Sequence, residues 1–83
     1  MPYFVCLINT SAEKSGQVIN SLKKLTAPKG GKIHSRRALM GPYDFLIEFE
    51  APDENVALDW VVNEVRAIPG VTSTQTFVTR ELV

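Results

Sequence analysis

"GPYDFLIEFE", Gly41 to Glu50, is the stretch that decides how this chain folds. The Gly-Pro pair forms a turn, and beyond it Tyr43, Phe45, Ile47 and Phe49 alternate with Asp44, Leu46, Glu48 and Glu50. A period of two sends one set of side chains into a core and the other to the opposite face of a sheet. The stretch therefore reads as a turn feeding a strand. Immediately before it, "KIHSRRALM" (Lys32 to Met40) has the β-branched and aliphatic ends of a strand and a polar middle that suits a sheet edge. The two strands make a hairpin.

Working outward, "YFVCLIN" (Tyr3 to Asn9) is an aromatic and β-branched run of strand length. "TSAE" follows, with Thr10 and Glu13 at the spacing of a capping box. A helix from about Ala12 to Leu25 would gather Val18, Leu22 and Leu25 on one face and turn Lys14, Gln17, Lys23 and Lys24 to water. "APKGGK" ends it. On the other side of the hairpin, Pro52 and Asp53 open a second helix running to about Ile68, with an apolar stripe of Val56, Ala57, Trp60, Val61, Val65 and Ile68. Pro69 and Gly70 stop that helix, and "VTSTQTFVTR" is a last strand rich in threonine.

The order strand, helix, strand, strand, helix, strand matches an α+β ferredoxin-like βαββαβ sandwich: a four-stranded antiparallel sheet with two helices on one face. The first and third strands lie centrally in that topology, and here they are the two most apolar. Tyr3, Val5 and Leu7 then point to one side of the sheet while Phe4, Cys6 and Ile8 point to the other. A row of large apolar side chains must face away from the helices. Three such side chains left in water would forfeit ~1.5 to 3 kcal/mol each, which rivals the whole stability of a small domain. A second copy, sheet against sheet, is the expected cover, in an obligate dimer or larger ring.

Composition narrows the function. Eighty-three residues are one small domain, spanning 1–83, and 45% hydrophobic with 22% charged residues places it among globular chains. Nine basic and nine acidic residues cancel to zero net charge, which argues against direct nucleic-acid binding. "MPYFVCLINT" lacks a basic leader and no run is long enough to span a bilayer, so the expectation is a cytoplasmic protein without a membrane partner. Single Cys6 and single His34 make no metal site, and Cys6 in an apolar strand reads as a buried, inert thiol. Arg36 and Arg37 face opposite ways on their strand, and Trp60 reads as packing. Pro2 would be a terminal base if Met1 were removed, but the rest of a tautomerase pattern is missing.

Three matches coincide: "GPYD" entering the third strand, "FLIEFE" after it, and "IPGVTSTQT" between the second helix and the last strand. Together they resemble the effector-binding RAM domain of the Lrp/AsnC, or feast/famine, transcription regulators, over Tyr3 to Glu81. With the first strand beginning at residue 3 there is no room for the helix-turn-helix of that family, so the resemblance is to a stand-alone form without a DNA-binding domain. It implies dimers joined through their sheets, higher rings that are commonly octamers, and mixed assembly with full-length regulators of the family. It also implies a small amino-acid effector beside the Gly-x-Tyr-Asp loop, carried here by Gly41, Tyr43 and Asp44, with Thr74 and Thr76 of the last strand. No cofactor is implied, and no catalysis.

That ligand suits those residues. An ammonium calls for an acceptor such as Asp44 and a carboxylate calls for hydroxyl or backbone N–H donors. Gly41 lets backbone come close, and Tyr43 is expected to anchor the loop in the core while Asp44 faces the ligand. Without the resemblance, "GPYD" is a turn whose aspartate caps backbone amides, and "TSTQT" is a solvated edge strand. The alternative function is a cofactor-free enzyme of the dimeric α/β-barrel type, with acid-base work by His34 or Tyr43 in a pocket between helices and sheet.

Overall fold

The computed structural model describes residues 1–82. Strand β1 (Tyr3–Thr10) leads through a single 3-10 turn (Ala12–Lys14) into helix α1 (Ser15–Lys24). β2 (Lys32–Ala38) and β3 (Phe45–Glu50) form the hairpin, α2 (Glu54–Trp60) returns across the sheet, and β4 (Val71–Thr79) closes it. The strand order is β2-β3-β1-β4 and every pairing is antiparallel, so the fold is the ferredoxin-like sandwich with β1 and β3 central. Among the described residues no helix is long and apolar enough to cross a membrane.

Alternation along the central strands builds the core. Phe4, Cys6 and Ile8 of β1 lie opposite Phe49, Ile47 and Phe45 of β3, and all six are buried beneath the helices. α1 adds Val18 and Leu22, while Phe49 lies 5.3 Å from the ring of Phe4 and 4.7 Å from that of Trp60. Trp60 donates from Nε1 to the Thr26 carbonyl at 3.0 Å, so the indole is buried without stranding its one polar atom.

Two helix details differ from the pattern in the sequence. Thr10 and Glu13 form no capping box, because Thr10 ends β1 and its hydroxyl is turned to Asp44 instead. The Thr10 backbone N–H, which a capping Glu13 would have accepted from, donates to the same carboxylate at 2.8 Å. α2 is capped as expected by Asp53, whose carboxylate accepts from Val56 N at 2.9 Å. Its continuation, Val61–Val65, then widens, with Arg66 N bonded to Val61 O, five residues back, at 2.8 Å. Trp60, Val61, Val65 and Ile68 all face the core, as the stripe in the sequence indicates.

One irregularity shapes the uncovered face. Between Ile33 and Ser35 the β2–β3 register slips, leaving His34 as an extra residue opposite the regular ladder. His34 and Ser35 both reach the side of the sheet that carries no helix, where His34 Nε2 meets Glu50 at 3.1 Å and Ser35 donates to Glu48 at 2.5 Å.

Candidate functional site

The loop between β2 and β3 is tied at its root and open at its tip. Leu39 N donates to the Asp44 carbonyl and Asp44 N donates to the Ile8 carbonyl, at 2.8 and 2.9 Å, so the hairpin end is stitched to β1. Gly41 has φ +152°, and a Cβ placed there would meet nothing within 4 Å. Glycine serves the backbone conformation here, and the space around it is free for a ligand to approach.

Asp44 is half-buried and its carboxylate is already oriented. Oδ2 accepts from the backbone N–H of Thr10 at 2.8 Å and from the Thr10 hydroxyl at 3.3 Å, and that hydroxyl lies 3.5 Å from Ser15 Oγ at the start of α1. A carboxylate offers about four acceptor positions over two oxygens. Oδ2 is committed to holding the end of β1, which leaves Oδ1 for a cation or donor.

Tyr43 does not anchor the loop in the core. Its hydroxyl donates to Gln75 Oε1 at 3.0 Å, and Gln75 lies opposite Leu7 on the face without helices. The loop residues precede the regular strand, so the alternation that buries Phe45, Ile47 and Phe49 does not reach Tyr43. Thr74 and Thr76 lie opposite Ile8 and Cys6 and so belong to the helix-side face of β4. Tyr43 reaches their strand only at Gln75, on the opposite face. The fold thus groups Gly41, Tyr43 and Asp44 and sets the two threonines apart within one chain. It brings in Gln75, which the sequence did not single out, and Thr10, which read there as a helix cap. Gln75 was within reach of the alternation, since the residue between two inward threonines must point outward.

The uncovered face has an apolar and a polar half. Val5, Leu7 and Leu46 are half-buried there, and Phe77, opposite Val5, is exposed. Toward the chain ends, the Tyr3 ring stacks on His34 at 4.9 Å and its hydroxyl reaches Glu48 at 3.4 Å. Burial and the neighbouring Glu48 carboxylate both push the Tyr3 phenol above its ordinary range. His34 therefore lies on the outer side of the sheet, whereas the space between helices and sheet is filled by Phe4, Ile8, Ile47, Phe49, Val18 and Val65. Among the described residues no group of three or more His, Cys, Asp or Glu side chains is placed to hold a metal ion.

At the level of sequence, no family model matches the chain and no curated protein is significantly similar to it. Solved structures share its fold throughout. FFRP-DM1 superposes with a TM-score of 0.79 at 19% identity, over 96% of this chain and 100% of that one. AsnC of E. coli gives 0.81 at 16% identity over 98% of this chain. A transcriptional regulator of Neisseria meningitidis in complex with L-Met gives 0.79 at 17% identity over 96% of it. The chain spans about half the length of these two regulators, 52% and 50%. It has the fold that the Lrp/AsnC resemblance implied.

Proposed function

We propose that this chain is an amino-acid-binding effector domain of the Lrp/AsnC type, in which the ammonium of a small amino acid is held by Asp44 beside Gly41 and Tyr43. The observation that carries this reading is the Asp44 carboxylate: fixed through Oδ2 to Thr10 at the root of an open glycine loop, with Oδ1 uncommitted. A preoriented acceptor binds a cation without first losing its own freedom. The likeness to a regulator that binds L-Met supports the choice of ligand.

Assembly belongs to the same reading. A second copy laid sheet against sheet would cover Val5, Leu7, Leu46 and Phe77, and such dimers are the units of a larger ring, an octamer by analogy with the family. Thr74 and Thr76 lie on the helix-side face of β4, opposite to the face on which Tyr43 reaches Gln75, so in this reading they serve as donors from a neighbouring copy. A ligand seated between copies favours one assembly over another, which would let this protein modulate a full-length regulator with which it shares interfaces.

The test is a thermal-shift screen against the twenty amino acids at millimolar concentration, on the native protein and on Asp44→Asn. A ligand present at ~100 times its dissociation constant stabilises by ~2.7 kcal/mol, several degrees for a domain of this size. A selective shift that vanishes in Asp44→Asn is the expected result; indifference to every amino acid would sink the proposal.

A further inference from the structure

On the helix side, lined by none of Gly41, Tyr43 and Asp44, a groove of about 210 Å³ runs between α1 and the β2 edge. Its floor is apolar: Ile19 and Leu22 of α1, with Ala38 and Phe45, which lie opposite one another at the end of the hairpin. Its rim carries Lys23, Arg36 and Arg37, and no acidic residue lines it. Long basic side chains commonly lay their aliphatic stems over apolar surface with the charge in water. That habit explains the stems here, but Arg36 has gone further. Its guanidinium is clamped by a 2.8 Å bond from Nη2 to the Leu25 carbonyl, and among the described residues the one ion pair is His34 with Glu50, so no carboxylate neutralises it.

A fixed, unneutralised guanidinium above an apolar floor is built to recognise a particular shape of molecule. We propose that the groove is a second ligand site, distinct from the Gly41–Asp44 loop, and that it takes a small monocarboxylate with an apolar body. The body lies on Ile19, Leu22, Ala38 and Phe45, and the carboxylate meets the remaining N–H groups of Arg36 and the ammonium of Lys23. Guanidinium and carboxylate are matched in plane and in charge. Volume sets the size: at about 30 Å³ for each water-sized group, the groove encloses roughly seven non-hydrogen atoms, with the charged end at its open rim. That is a branched aliphatic or simple aromatic acid, too small for a peptide. An amino acid fits worse, because its ammonium would sit beside two cations.

The experiment is amide NMR of the isotopically labelled full chain, titrated with 4-methylpentanoate. Controls are 4-methylpentan-1-ol, which keeps the body and loses the charge, and acetate, which does the reverse. Saturable shifts at Ile19, Lys23, Arg36 and Ala38, with both controls at least about tenfold weaker, are expected. Arg36→Gln, which removes the charge and keeps a polar side chain on the strand, should weaken binding at least tenfold. Ala38→Phe, at an exposed position, should block the groove in a folded protein, and Asp44→Asn should leave binding unchanged. The proposal is overturned if 4-methylpentanoate produces no saturable shifts, if the alcohol binds equally well, or if the shifts survive Arg36→Gln and Ala38→Phe. None of those results bears on amino-acid binding at the loop.

Discussion

Replacing Asp44 tests both what it does for the fold and what it is available to do for a ligand. Asp44→Ala removes the acceptor of a 2.8 Å bond from Thr10 N–H and of a weaker one from its hydroxyl. A hydrogen bond to a charged group contributes ~1.5 to 3 kcal/mol, and the half-buried position, which water can partly reach, puts this one near the low end. At ~4 to 8 °C per kcal/mol for a domain of this length, the melting temperature should fall by roughly 6 to 15 °C. Asp44→Asn keeps a neutral acceptor for Thr10 and should cost about 1 kcal/mol. Urea denaturation at fixed protein concentration, with an unchanged m-value, provides the measurement. If Asp44→Ala unfolds within ~0.5 kcal/mol of the parent, as an unconstrained surface substitution would, the carboxylate does not hold the end of β1 and is not preoriented.

Other substitutions probe separate parts of the account. Phe77→Glu with Leu7→Glu, on the face without helices, should reduce the sedimenting species to a single chain that remains folded; an unchanged mass would move the interface elsewhere. Gly31→Ala should destabilise by about 2 kcal/mol or more, because its Cβ would lie 2.1 Å from the Glu50 carbonyl oxygen. Gly16→Ala, in α1 with nothing within 4 Å, should instead stabilise by about 0.5 kcal/mol, and denaturation curves of the pair give opposite signs if the packing is right. Burial pushes the Cys6 thiol up, opposed by the Thr76 hydroxyl. The group therefore stays protonated at neutral pH, and a thiol reagent should label it only in denaturant; rapid labelling of the native protein would contradict its burial.

The fold was legible because its strongest signals are periodic. Phe45, Ile47 and Phe49 alternate across β3, Phe4, Cys6 and Ile8 across β1, and both sets are buried. The α2 stripe was equally plain, Val56 through Ile68. Its wide turn at Val61–Val65 left no mark, since the apolar stripe there has the spacing of an ordinary α-helix. The site was only half visible. Gly41, Tyr43 and Asp44 were marked by their place before a strand, but side-chain partners in a loop depend on what the tertiary fold brings near. Tyr43 meets Gln75 from 32 positions away and Asp44 meets Thr10 from 34. Thr10 was misassigned for the same reason: local spacing offered a helix cap, and a distant carboxylate took the hydroxyl.

Isothermal titration of the assembled protein with the amino acid selected by the thermal screen, on the parent and on Asp44→Asn, tests the central claim most directly. The account predicts one saturable site per chain in the parent and at least tenfold weaker binding in Asp44→Asn, in a protein whose assembly is unchanged. Binding of equal affinity in both would show that Asp44 serves the fold alone and that the effector, if there is one, sits elsewhere.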